Sequence, residues 1–189
     1  MAELKQRKCK ACKTPFTPAR STQTACGIDC AMQLAHERKV KLAECDRLDT
    51  VRKDRARKER LKTRRDWENE AQAAFNAWVR LRDADKPCIS CGRRHEGQYH
   101  AGHYLSVGAR PELRYEPLNV WKQCAPCNTH LSGNAVLYRQ ALVREIGIEK
   151  VEWLEGPHPV RKYTADDLKA IRGLYRAKLR ELVKERANG

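Results

Sequence analysis

Eight of the nine cysteines in this chain stand in four close pairs, Cys9/Cys12, Cys26/Cys30, Cys88/Cys91 and Cys124/Cys127; Cys45 is left over and reads as a partly buried free thiol. A gap of two residues lets both thiolates of a pair face one ion from a tight knuckle. Two knuckles supply four sulfurs at ~2.3 Å, which closes a tetrahedral Zn²⁺ site. Cys88-Ile-Ser-Cys91-Gly92 with Cys124-Ala-Pro-Cys127 is the stronger set, because the glycine after Cys91 permits the left-handed backbone that such a turn favours. Cys9-Lys-Ala-Cys12 with Cys26-Gly-Ile-Asp-Cys30 has three residues inside its second pair, a spacing that suits a last cysteine in the first turn of a helix. Redox or buried pairs are the competing reading. A closed four-thiolate site has no open position, so both zinc ions are structural and any hydrolysis must use other residues.

Such residues lie between and just after the last two pairs. Gln98-Tyr-His-Ala-Gly-His-Tyr-Leu105 and Leu118-Asn-Val-Trp-Lys122 separate the knuckles, and Asn128, Thr129 and His130 follow Cys127. His103 considered alone is an ordinary, partly buried histidine. Beside two knuckles and two asparagines it is a candidate for water activation. His36, His95 and His158 read as solvated.

Charge points to the substrate. Lys and Arg total 39 against 24 Asp and Glu, a net charge of +15. A field of that sign finds its commonest partner in nucleic acid, since neutralising phosphates releases counterions. An anionic membrane is the second candidate, but no apolar run approaches the ~20 residues that span a bilayer. The N-terminus lacks the apolar stretch of a signal peptide, so a cytoplasmic protein is expected. The densest basic run holds Arg52, Lys53, Arg55, Arg57, Lys58, Arg60, Lys62, Arg64 and Arg65 against only two acidic residues. A merely solvated helix face mixes signs more evenly, so phosphate contact is favoured there. Arg110 and Arg114 are candidate bidentate clamps nearer the proposed chemistry. Tyr104 and Trp121 could stack on unpaired bases, with core packing the expected role of Trp121.

These groups need elements to hold them, and four stretches are visible. Residues 1–33 form a four-cysteine zinc module, 34–85 a basic helical connector, 86–146 a zinc-braced core and 147–189 a C-terminal helical segment. The connector contains neither Pro nor Gly, which predicts one long helix or two. Trp67, Ala71, Ala74, Phe75, Trp78 and Leu81 recur in it at helical spacing and should pack on the domain C-terminal to it. Thr164 with Asp167 predicts a capping box ahead of the stripe Leu168, Ile171, Tyr175, Leu179 and Leu182. A further helix is expected from about Asn134 to Ile146, stopped by Gly147. The fold class is α+β, mostly helical with little sheet.

The arrangement around the second zinc set resembles the HNH, or ββα-metal, nucleases, and among them phage T4 endonuclease VII, in which Asn likewise directly follows the last zinc cysteine. That resemblance implies His103 as general base, Asn119 on the second strand as its orienting partner, and Asn128 as ligand of a catalytic Mg²⁺ or Mn²⁺. One departure stands out. The family carries Asp or His before the base, and here that residue is Gly102. His100 is the first candidate to replace it and His130 the second. The chain as a whole is similar to the phage lambda NinG (Rap) family. The shared words are the Cys88–Cys91 knuckle, Ala101-Gly-His-Tyr-Leu-Ser-Val-Gly108, Leu113-Arg-Tyr115, Gln123-Cys-Ala-Pro-Cys-Asn128 and Ser132-Gly-Asn134. The likeness implies a recombination endonuclease of bacteriophage, acting in the infected or lysogenic host on branched DNA such as Holliday junctions and D-loops, with other phage or host recombination proteins as possible partners. Paired nicks at a junction call for two active sites and hence a homodimer. The alternatives are a zinc-dependent nucleic-acid-binding protein without catalysis and, least favoured at this charge, a protein-interaction adaptor.

Overall fold

Short polar and glycine-containing segments at the start of the chain leave room only for a two-residue ribbon, β1 (Arg7–Lys8) antiparallel to β2 (Pro15–Phe16), with Arg7 opposite Phe16. The computed structural model describes residues 4–188 and divides into two units between Leu61 and Lys62. The first unit consists of this ribbon and α1 (Ile28–Arg60), a helix of 33 residues with none buried. At 1.5 Å per residue it is about 50 Å long. Ile28, Met32, Val40, Leu42, Leu48 and Val51 all stand exposed on it, so no face of it is packed within the unit. Cys30 falls in its first turn, and Cys45 is exposed, not partly buried.

The second unit opens with α2 (Arg64–Arg82). Its first turn is a capping box: Thr63 Oγ1 accepts from the Asp66 amide at 3.2 Å and Asp66 Oδ2 accepts from the Thr63 amide at 2.8 Å. With Thr63 extended as the cap, the expected connector 34–85 cannot be one element. It ends at Leu61, and α2 joins the C-terminal core. Trp67, Ala71, Ala74, Phe75 and Val79 of α2 are buried against Leu168 and Tyr175 of α5 (Ala165–Asn188), with the Phe75 and Tyr175 rings 4.7 Å apart, edge to face. Thr164 and Asp167 cap α5 reciprocally.

Between α2 and α5 in the chain runs a second ribbon, β3 (Tyr99–His103) antiparallel to β4 (Val120–Cys124). Its register pairs Tyr99 with Cys124, His100 with Gln123, Ala101 with Lys122, Gly102 with Trp121 and His103 with Val120. Strand alternation sends successive side chains to opposite faces. Ala101 and Val120 accordingly join the α2–α5 core. Trp121 joins a second core with Tyr138 and Leu142 of α3 (Ala135–Ile146) and with Val151 and Leu154 of α4 (Ile148–Glu155). The ribbon is thus clamped on both faces. Among the described residues no helix is long and apolar enough to cross a membrane.

Candidate active site and its zinc frame

The eight paired cysteines gather into two clusters, Cys9/Cys12/Cys26/Cys30 and Cys88/Cys91/Cys124/Cys127, with all sulfurs of each within 4.8 Å of one another. Sulfurs stand 3.6 Å apart in the pairs Cys12–Cys26 and Cys26–Cys30, and 4.0 Å apart between Cys91 and Cys124. A tetrahedron of ~2.3 Å Zn–S bonds has edges of roughly 3.8 Å, so both clusters could hold a zinc ion. The thiols also need a cation to ionise together: the Cys12 side chain leads in pushing Cys26 up to about 12, and burial leads in pushing Cys124 up to about 12. Backbone amides already donate into the clusters, from Cys26 to Cys9 Sγ at 3.4 Å and from Cys124 to Cys88 Sγ at 3.3 Å. Gly92 takes φ +67°, the conformation the second knuckle requires. His95, expected to be solvated, instead sets its Nε2 3.3 Å from Cys91 Sγ while its amide donates to the Tyr99 hydroxyl at 2.7 Å.

The second cluster fixes one end of the β3–β4 ribbon through Cys124, and His103 closes the other. Its imidazole is half-buried, with Nε2 3.0 Å from the Arg114 carbonyl oxygen. A carbonyl only accepts, so Nε2 carries the hydrogen, and the neutral ring offers Nδ1 as its basic atom. Burial holds the imidazole below its ordinary pKa, against a smaller opposing pull from the Arg114 carbonyl.

Asn119 is placed differently from the expectation. It is the last residue of a one-turn 3₁₀ helix, Pro117–Asn119, just before β4, and it is fully buried. Its side chain donates to the carbonyls of Leu105 at 3.0 Å and Leu113 at 3.3 Å and accepts from the Leu105 amide at 2.8 Å. Asn119 therefore ties down the loop between His103 and Arg114. It positions His103 through that loop, and the direct partner of the imidazole is a backbone oxygen.

On the opposite face of β3 the space at Gly102 is filled. A Cβ at that position would collide with Gln123 Oε1 and stand 3.0 Å from both Gln123 Cβ and Asn128 Oδ1. Asn128 lies in a π-helical turn, Pro126–His130, that includes the last cysteine of the second cluster, Cys127. Gln123 is completely buried, and its Nε2 donates to Ser90 Oγ and to the Gly133 carbonyl, both at 2.6 Å. The collision makes Gly102→Ala destabilising by about 1–3 kcal/mol, the usual cost of overpacking. Urea unfolding checks this; an unchanged midpoint would show that the Gln123 amide swings aside freely. His100 shares the face of Gly102, and His130 is exposed at the end of the turn. Neither joins a cluster of three or more His, Cys, Asp or Glu ligand atoms among the described residues.

The basic candidates divide. Arg52, Lys53, Arg55, Arg57, Lys58 and Arg60 all lie on α1, where no residue is buried. Arg65 is exposed as well, and Arg64 pairs with Glu68 at 3.0 Å while staying open to solvent. Lys62 is tied to Glu70 at 2.7 Å and lies 4.5 Å over the Trp67 ring. The two expected clamps are committed internally. Arg110 donates to Glu112 at 2.6 Å and to the Gly156 carbonyl at 2.5 Å, whereas Arg114 pairs with Glu68 and donates to Gln72 at 2.7 Å. Both are architectural in this state because each finds acidic or carbonyl partners within its own fold. Trp121 is buried with Arg82 stacked 4.5 Å over its ring, and Tyr104 donates to Glu155 at 2.5 Å.

Three contributors escape sequence reasoning. The Arg114 carbonyl is a backbone group, which residue types never reveal. Gln123 reads as one more polar strand residue, between Lys122 and Cys124. His95 does carry a signal, four residues after a zinc cysteine. Compared with known proteins, the chain matches at residues 1–185 the family model described as Bacteriophage Lambda NinG protein. Relatives named Protein ninG are 41% identical over 198 residues in Escherichia phage 933W and 40% identical over 200 residues in Escherichia phage lambda, each match covering 99% of this chain and 98% of the relative. The protein of that name in Salmonella phage P22 is 40% identical over 195 residues, 96% of each chain. No solved structure matches the chain.

Proposed function

The chain belongs to the bacteriophage lambda NinG family, and from that premise we propose that it is a structure-specific DNA endonuclease that hydrolyses phosphodiesters in branched recombination intermediates such as Holliday junctions and D-loops. The observation that carries this reading is His103 at the end of a zinc-anchored ribbon, its Nε2 fixed on the Arg114 carbonyl at 3.0 Å and its Nδ1 left to act as a base. Nδ1 takes a proton from a water molecule as the oxygen attacks phosphorus, and the P–O3′ bond breaks on the far side. Asn128 would be a ligand of a divalent cation, Mg²⁺ or Mn²⁺, which would supply positive charge to the phosphate. In-line displacement needs the base and that charge on opposite sides of phosphorus. The HNH and endonuclease VII likeness of the sequence supports the same assignment of roles.

DNA is engaged through α1. Replacing Arg52, Arg55, Arg57 and Lys58 by alanine weakens junction and duplex alike, and each lost phosphate contact lowers the salt slope of log K by about 0.9. Fluorescence anisotropy over a salt series measures it; an unchanged slope would remove α1 from the interface. Paired nicks favour a homodimer, to be seen by sedimentation velocity at micromolar concentration, and a monomer bound to an uncut junction would count against it.

The test of the activity compares a labelled four-way junction with a linear duplex of the same sequence, in Mg²⁺ and in Mn²⁺. Junction-selective nicking is expected. Salt-sensitive binding without cleavage under either ion would favour the second reading, a zinc-dependent nucleic-acid-binding protein, for which the missing side chain at position 102 is the specific argument.

A further inference from the structure

We infer that Gln123 Oε1 is a ligand of the catalytic divalent cation, shared with Asn128 Oδ1, and that it replaces the side chain that position 102 lacks. The inference rests on the endonuclease reading for the cation's purpose, but its grounds are local. The orientation of the Gln123 amide is fixed by chemistry. Its nitrogen lies 2.6 Å from the Gly133 carbonyl oxygen, which cannot donate, and 2.6 Å from Ser90 Oγ. Turning the amide over would set two acceptor oxygens against each other. Oε1 must therefore face Gly102. There it is buried with no hydrogen-bond partner, the single buried side-chain nitrogen or oxygen in that condition among the described residues. Desolvating a carbonyl oxygen without a partner is costly, and such groups persist where an ion or a function accounts for them.

The second observation concerns the surroundings of that oxygen. Oε1 occupies the ground where a Cβ of residue 102 would stand, and Asn128 Oδ1 lies 3.0 Å from that same point. Two side-chain carbonyl oxygens thus converge on one small volume beside a bare glycine backbone. Carbonyl oxygens are hard ligands of the kind that suit Mg²⁺ and Mn²⁺, unlike the thiolates of the neighbouring zinc cluster. Both are neutral. A cation held by two neutral amides draws its charge balance from substrate phosphate. Glycine at 102 is then a requirement of the arrangement: any side chain would displace the oxygen that serves in its place.

The experiment titrates the zinc-loaded full chain with Mn²⁺ and follows the free-ion signal by electron paramagnetic resonance, with no DNA present. Gln123→Leu and Asn128→Ala should each weaken Mn²⁺ binding at least about tenfold, and the double variant should be weaker than either alone, with a total loss that differs from the product of the two single losses, as expected of two coupled ligands on one ion. Gln123→Met, which keeps the side-chain length and removes the oxygen, should weaken Mn²⁺ binding to the same extent as Gln123→Leu. Zinc content and melting temperature identify a variant that has failed to fold; if Gln123→Leu does so, Gln123→Met decides. Mn²⁺ binding indifferent to residue 123 overturns the inference even if the protein cleaves junctions. Binding that depends on residue 123 in a protein that cleaves nothing supports the cation site and overturns the endonuclease reading instead.

Discussion

Substituting Cys124 by serine should leave residues 62–189 without a cooperative thermal transition and lower the zinc content from two ions per chain to one. Cys124 is both a cluster sulfur and the last residue of β4, so an ion held there would also fix the ribbon's register. A structural zinc contributes an apparent ~10–16 kcal/mol to folding at neutral pH. That is as much as the whole stability of a typical domain, about 5–15 kcal/mol. The cores on either face of the ribbon rest on Val120 and Trp121, four and three residues before the cysteine. Cys12→Ser should act likewise on the first unit, where Cys9, Pro18 and Ala25 are the buried residues among those described. Circular dichroism melts with metal analysis check both. A melt unchanged after loss of an ion would show that the clusters are ornaments on an independently stable fold.

The second large effect is at the base. His103→Ala should slow single-turnover cleavage by about 10²- to 10⁴-fold, the range for a positioned general base. Burial holds the imidazole below its ordinary value of 6.5. A lowered pKa means that the neutral, proton-accepting form persists below pH 6.5, so the rate should be level through neutrality. It should fall on the acid side, with an apparent pKa under 6.5. An acid limb above 6.5 would point to a different base, or to an imidazole that is solvated. Asn119→Ala should reduce the rate less and also lower stability, because it frees the loop that carries the Arg114 carbonyl and does not touch the ring.

Much of this architecture can be read from the residues. Cysteine spacing identifies both clusters because thiolate geometry leaves few other uses for two facing knuckles. The stripes from Trp67 to Leu81 and from Leu168 to Leu182 identify α2 and α5 as packing helices, since burial enforces the helical period. The break at Leu61 is harder to see. Nothing in composition interrupts 34–85, and its only local mark is Thr63 with Asp66, a capping box hidden inside a basic run. Arg110 and Arg114 show the other limit. A free arginine and one paired with a carboxylate 46 residues away look alike in sequence. The site itself divides in the same way. His103 and Asn128 are marked by residue type and by neighbouring cysteines, whereas the carbonyl that orients the base and the amide facing Gly102 depend on strand register, which only the folded ribbon defines.

The central claim, that His103 performs hydrolysis at a branched-DNA site, is tested most directly by assaying wild-type and His103→Ala protein on one labelled four-way junction in Mg²⁺, with cleavage rate and Kd measured on the same samples. The account predicts a Kd unchanged within about twofold and a cleavage rate reduced by about 10²-fold or more. Cleavage by His103→Ala at the wild-type rate, with equal zinc content in both proteins, would contradict it.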